Sequence, residues 1–224
     1  MIKVFIGYDD VEAVSYSVLQ QSIFKKTKRQ VQFTPVYTGN LKRMFWRQRD
    51  PKQSNEFSFS RFLVPRMCGY EGFAIWMDCD MLCRSDIAEL WDLRDGQHAV
   101  KVVKHDYTPR NEKKYLGNVQ HKYEKKNWSS VMLFNCEHPD VLTLTPEYVN
   151  NATGLELHQF KWTESIGELP KEWNWLVGEY DYNPNAKLVH FTVGGPYFND
   201  YKDCDYSDEW FMEYKNTVNV AQFV

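Results

Sequence analysis

The chain predicts an α/β layer sandwich with a mostly parallel central sheet, and three observations point there. Helix-like and strand-like stretches alternate along its 224 residues. The opening order of strand, helix and strand implies a right-handed parallel crossover. The most apolar run, Ala74-Ile75-Trp76-Met77, reads as a buried strand and ends in two aspartates, Asp78 and Asp80.

Taken in order, KVFIGYD at 3–9 is a short apolar run with one glycine, the pattern of a buried strand. Asp9 then stands where a helix N-cap belongs, with Glu12 three residues on as the partner of a capping box. Val11, Val14, Val18 and Ser22 share one face of the helix that follows, with Leu19 and Ile23 beside them. VQFTPVYTG at 31–39 is a second strand, placed at an edge by Pro35. The stretch 57–72 reads as helical up to Val64, with Pro65 and the glycines as its end. After the Asp78–Asp80 strand, SDIAELWDL at 85–93 is a short helix with Ser85 as cap. Strands are expected at 98–105 and 129–136, a Thr-capped, Pro-first helix from Thr145, and a late strand at 186–195 that runs into Gly194-Gly195. No repeat or low-complexity segment divides the chain, which reads as one domain over 1–224.

Composition narrows the function. With 27 basic and 30 acidic residues the formal charge is -3, which argues against a nucleic-acid partner. Aromatics at 16% suit sugar or base recognition as well as a core. The five cysteines are odd in number and lack zinc spacing, so they read as reduced thiols. The opening MIKVFIGYDD is neither a signal nor a transit peptide, and no apolar stretch approaches a span of roughly 20 residues. A cytoplasmic protein is expected. The polar stretch 104–126, in which basic residues outnumber acids, is either a solvated surface loop or an element over the active site.

Side chains two apart on an extended segment share a face. Asp78 and Asp80 therefore point together at the carboxyl end of a central strand, where open α/β sheets bind ligands. Adjacent carboxylates repel unless a cation lies between them, and hard cations such as Mg²⁺ and Mn²⁺ take oxygen ligands shared with phosphates. Two turn-forming aspartates are the other reading of the same pair.

The neighbouring blocks add a resemblance. SRFLVPRMCGYEGFAIWMDCDMLCRSDIAELW at 60–91, SSVMLFN at 129–135, HQF and GELPKEWNW within 158–175, and LVHFTVGG at 188–195 together resemble glycosyltransferase family eight, a GT-A fold family. The resemblance implies a GT-A-like α/β/α sandwich and a divalent metal, Mn²⁺ or Mg²⁺, held by Asp78, Asp80 and His190. It places Arg61 against a carboxylate or the donor, and Tyr8 and Asp9 at the nucleobase and ribose. Tyr8 serves equally as a packing aromatic, and Asp9 as a helix cap. The implied reaction moves a hexose from a nucleoside diphosphate sugar, UDP-glucose or UDP-galactose in type, to an acceptor hydroxyl with retention.

Three departures from the family pattern stand out. Gly195 falls near the place of a diphosphate-contacting lysine, which leaves the phosphate charge to the metal, the Gly194-Gly195 amides or a basic side chain from 104–126. Trp128-Ser129-Ser130 stands where an asparagine is usual, with Asn127 one residue away. The family's Asp-Gln pair beside the reacting sugar carbon reads His158-Gln159. Glu164 and Glu168 read as surface acids. A nucleotidyltransferase using the same metal–diphosphate chemistry, or a non-catalytic nucleotide- or carbohydrate-binding module, are the competing functional readings, although no Gly-rich phosphate loop is present for the first.

Overall fold

The computed structural model describes residues 1–50, 53–110, 113–117 and 123–218. Strand β1, Ile2–Gly7, is buried almost throughout. Asp9 opens the following helical segment by accepting from the Val11 amide at 3.0 Å. Helix α1, Ala13–Lys26, buries Val18, Leu19, Ser22 and Ile23, while Val11 stays exposed. It ends with Lys25 and Lys26, cations that suit the negative end of a helix dipole. Strand β2, Val31–Val36, lies parallel to β1 at the sheet edge, as Pro35 requires.

The next segment differs from expectation. A 3-10 turn over Ser60–Leu63 feeds a short helix α2, Val64–Met67, with Pro65 in its first turn. A proline there loses no helical hydrogen bond, so Pro65 starts a helix instead of stopping one. Strand β3, Phe73–Met77, follows, and then β4, Met81–Cys83. Helix α3, Ile87–Trp91, is capped by Asp86, whose carboxylate accepts from Ala88 N at 2.8 Å; Ser85 is not the cap. Strand β5 is only Val100–Val102 and β6 is Val131–Asn135. Helix α4, Pro146–Asn151, carries the expected Thr145 cap. Five further elements complete the fold: α5 (Gly154–His158), β7 (Ile166–Glu168), β8 (Trp175–Leu176), β9 (Leu188–His190) and α6 (Ser207–Val218). The late strand is thus three residues long, not ten.

Six strands form the central sheet in the order β2-β1-β3-β6-β5-β7. The pairs β1–β2, β1–β3 and β5–β7 are parallel, and β6 runs antiparallel to both its neighbours. β3 lies inside the sheet, and its residues Ala74 to Met77 are fully buried, which explains the unbroken apolar run. A second sheet, β4-β9-β8, pairs Met81 with His190. The chain therefore leaves one sheet at Met77 and joins another at Met81, and the two aspartates occupy the step between them. A separate apolar cluster of Val18, Leu82, Val189, Phe191, Tyr206 and Trp210 ties α1, the second sheet and the α6 region together.

Gly7 ends β1 under the Phe57 ring. A Cβ built there would lie 2.4 Å from Phe57 Cγ. Gly7→Ala is expected to lower stability by about 1–3 kcal/mol, the usual scale of overpacking, with Phe57→Leu in the same chain restoring part of the loss. Urea unfolding of the two variants checks this; equal midpoints for wild type and Gly7→Ala would refute the packing argument.

Candidate active site

One hydrogen bond extends the β3 ladder past its end: Asp78 N donates to Ser130 O at 3.0 Å. The Asp78 side chain faces Arg61, whose Nη1 lies 2.8 Å from Oδ1, and Trp76 Nε1 donates to the same oxygen at 3.2 Å. Arg61 comes from the 3-10 turn before α2. Its Nη1 also reaches Ser129 O at 2.9 Å and its Nε reaches Phe57 O at 3.4 Å, which fixes the buried guanidinium. Burial pushes the Asp78 carboxyl up to about 6 against the opposing pull of Arg61.

Asp80 is held from the other sheet. Its carbonyl accepts from Phe191 N at 2.8 Å, beside the end of β9. Asp80 Oδ1 lies 3.3 Å from His190 Nε2, yet no donor is aligned on it. The reason lies behind the imidazole. Asn174 Nδ2 donates to Ser130 Oγ at 2.9 Å and to Asn127 O at 3.1 Å, which turns its Oδ1 toward His190 Nδ1, 3.1 Å away. An acceptor at that place calls for a proton on Nδ1 and leaves the Nε2 lone pair facing Asp80. Ligand atoms of Asp78, Asp80 and His190 all lie within 4.8 Å of one another, and all three residues are buried. Two facing lone pairs, one on an orphaned buried carboxylate oxygen, fit a divalent cation between them. Burial alone would raise Asp80, but positive charge placed at His190, by a proton or by the cation, holds its carboxyl below the usual range.

The triad opens on a cavity of about 620 Å³, within the range of small-ligand sites. Arg61, Ser129 and His158 form part of its wall. His158 ends α5 with Nδ1 2.8 Å from Ser129 Oγ and its ring edge-on to Phe62. Burial, with Arg61 and Arg47 nearby, pushes this imidazole down to about 3, so it is neutral at physiological pH. Gln159 follows as the helix cap; its carbonyl accepts from Lys125 Nζ at 2.8 Å, and it is not among the residues that line the cavity. Neither are Tyr8, Asp9, Gly194 and Gly195. Tyr8 packs edge-on against Tyr16 and Tyr37, and Asp9 also accepts from Glu56 N at 2.9 Å. Gly194 and Gly195 lie under the rings of Tyr201 and Tyr197, which leave no room for a Cβ. Glu164 and Glu168, read from the sequence as surface helix acids, are exposed but not helical: Glu168 ends β7 and Glu164 lies in the bend before it.

Residues 111–112 and 118–122 of the basic stretch lie outside the described residues. Of the rest, Lys114, Tyr115, Tyr123 and Lys126 line the cavity. Sequence reading missed Asn174 and Ser129, whose partners are far away in the chain, and it mistook Glu12. Instead of closing a capping box, Glu12 is buried and accepts from Tyr197 Oη at 2.6 Å and Tyr115 Oη at 3.4 Å. Burial, then the nearby Asp80 charge, raises its carboxyl to about 8.

A carboxyl raised by folding favours the protonated state in the native protein. Its contribution to stability is complete below the unfolded value near 4.5 and is lost as pH rises through about 8. Glu12→Gln, neutral at every pH, is therefore expected to melt roughly 3 °C or more above wild type at pH 8.5, an effect of about 1 kcal/mol or more, with no advantage at pH 5. Scanning calorimetry in chelator reads the gap; parallel melting curves across the range would show that Glu12 does not titrate there.

Comparison with known proteins follows the same geometry. The family model described as glycosyl transferase family 8 matches residues 3–195. Protein CDI of Arabidopsis thaliana is 45% identical over 220 residues, covering 94% of this chain and 85% of that protein. The galactosyltransferase LgtC, solved with donor and acceptor sugar analogues, superposes with a TM-score of 0.66 at 11% identity, covering 99% of this chain and 98% of LgtC. An active-site mutant of LgtC, with glutamine replaced by glutamate, superposes at 0.65 with the same identity and coverage. Among the described residues no helix is long and apolar enough to cross a membrane. The match begins in β1 and ends at Gly195, taking in every element that carries the triad, and the chain belongs to glycosyl transferase family 8 as a glycosyltransferase of GT-A fold.

Proposed function

We propose that this chain, acting as one catalytic domain over 1–224, transfers a hexose of glucose or galactose type from a UDP-linked donor to an acceptor hydroxyl with retention. The observation that carries the reading is the buried triad in which Asp80 Oδ1 and His190 Nε2 face each other without a proton donor between them. Asp78, Asp80 and His190 hold the metal, and the imidazole ligand favours Mn²⁺ over Mg²⁺. Bound there, the ion supplies Lewis acidity to the diphosphate leaving group.

The chain's own residues do the rest. Arg61 holds Asp78 ionised and in place through the 2.8 Å pair. Tyr8 and Asp9, at the end of β1, take the nucleobase and ribose, and the Gly194-Gly195 amides approach the diphosphate. His158, neutral and hydrogen-bonded to Ser129, offers its remaining imidazole nitrogen to the sugar hydroxyls and helps choose the sugar. Gln159 turns its amide carbonyl toward the positive charge growing on the ring; the LgtC mutant, altered at an active-site glutamine, supports this role. Lys114, Tyr115, Tyr123 and Lys126, which line the cavity, face the donor and keep water from it. The five free cysteines suit a reducing compartment, and we assign the reaction to the cytoplasm.

Asp80→Ala is expected to abolish transfer while the circular dichroism spectrum stays native, and EDTA should do the same to wild type. Donors are found first by thermal shift with Mn²⁺, since a bound ligand raises the melting temperature by mass action. Near-normal turnover by Asp80→Ala in chelator would end the metal reading.

Gln159→Ala should lower kcat by roughly ten- to a thousand-fold, the scale of one positioned dipole, with the donor KM near wild type. His158→Asp should shift donor preference without abolishing turnover. Steady-state kinetics decide; unchanged constants and donor choice in both variants would remove the pair from the active site.

A further inference from the structure

The segment after His190 runs Phe191-Thr192-Val193-Gly194-Gly195-Pro196-Tyr197 and contains no cation. It cannot easily acquire one at Gly195, because a Cβ there would fall 2.2 Å from the Tyr197 ring. Yet a lysine from another part of the chain lies at the same wall. Lys114 is half-buried, lines the cavity that contains Asp78, Asp80 and His190, and faces the carboxylates of Asp80, Glu12 and Asp78 electrostatically. Among the described residues its ammonium makes no hydrogen bond and no ion pair.

The backbone beside it is fixed. Tyr115 N donates to Val193 O at 2.8 Å, and the Tyr115 ring stacks on Phe198 with centroids 4.9 Å apart. The Tyr115 hydroxyl reaches Glu12. Gly117 N closes a turn onto Lys114 O at 3.1 Å. These contacts hold Lys114 against the 190–195 segment, at the end of the cavity where the triad lies.

We propose that Lys114 is the cation that meets the diphosphate of the donor, presented to it by Tyr115. The inference rests on the proposed function. A half-buried ammonium whose contact is an aromatic ring, that of Tyr115 with Nζ 5.5 Å from its centroid, and not a hydrogen-bond acceptor is costly, and burial does lower the Lys114 pKa, the nearby carboxylates opposing it. Asp78 is engaged with Arg61 and Glu12 with two tyrosines, and Asp80 is committed to the metal in the proposed function, so the unmet demand is for an anion from outside. A compact ammonium suits a phosphate oxygen. The site takes a nucleoside diphosphate, and the second phosphate is the group that Lys114 reads. As a mere counter-ion of the acid cluster, Lys114 would affect metal affinity and not phosphate count.

Isothermal titration of the whole chain in Mn²⁺ tests this, with UDP, GDP and ADP and their monophosphates as probes. Lys114→Ala is expected to weaken the best wild-type diphosphate at least tenfold, but its monophosphate less than threefold. Lys114→Arg should retain most of the discrimination, and Lys113→Ala, altered at an exposed neighbour, all of it. Mn²⁺ affinity, read by electron paramagnetic resonance, should change less than threefold. If Lys114→Ala folds poorly, Lys114→Met keeps the aliphatic stem and removes only the charge. Diphosphate affinity within threefold of wild type, equal losses for di- and monophosphate, or a large loss of Mn²⁺ affinity would each overturn the assignment while the proposed function stands. A wild type that binds none of the three diphosphates overturns both.

Discussion

Burying two carboxylates within one residue of each other is the constraint on which the rest of the structure depends. An uncompensated buried charge costs several kcal/mol, so each aspartate needs its own answer. Asp78 is answered by Arg61, from the 3-10 turn before α2, whose Nε and Nη1 also reach the Phe57 and Ser129 carbonyls. Asp80 faces His190 of the second sheet, itself oriented by Asn174, and a cation between the two would supply the missing charge. The step from β3 to β4 divides the pair between two sheets, and the second sheet brings a side chain of its own strand to Asp80. That division explains a second sheet as short as β4-β9-β8: its function is to place His190 opposite Met81 and so beside Asp80.

Much of the site was legible because its signals are local. An apolar run ending in Asp78-Cys79-Asp80 tells of a buried strand and two side chains on one face, and β3 is such a strand. His190 was legible only through the resemblance, since one histidine at a strand end carries no chemistry of its own. Asn174 and Ser129 were illegible because their partners lie 44 and 29 residues away. Glu12 shows how a local rule is overridden. The spacing from Asp9 is that of a capping box, but a tyrosine hydroxyl 185 residues away takes the carboxylate into the interior. Ser85 lost the α3 cap to Asp86, an equally good capping residue one position on. The long strands expected at 98–105 and 186–195 shrank to three residues each, because hydrophobicity marks burial and not the length of a ladder.

The lining of the cavity is of two kinds. The triad and Arg61 are ionised or ionisable, whereas Ser129, Ser130, Asn127 and His158 present neutral donors and acceptors. A histidine where the family has an aspartate keeps that part uncharged, since the Phe59 and Phe62 rings and the Arg61 guanidinium all disfavour an imidazolium. Neutral hydrogen-bonding groups beside strongly charged ones suit a ligand that carries both charge and hydroxyls.

The spread of the triad over two sheets also sets an order of assembly during synthesis. Arg61 and Asp78 leave the ribosome close together and can neutralise one another early. His190 follows about 110 residues later, on the order of ten seconds at ordinary elongation rates. Through that interval the nascent chain carries Asp80 with neither its imidazole nor the strand that β4 needs as a neighbour. A chain that stops before His190 therefore lacks the third member of the triad.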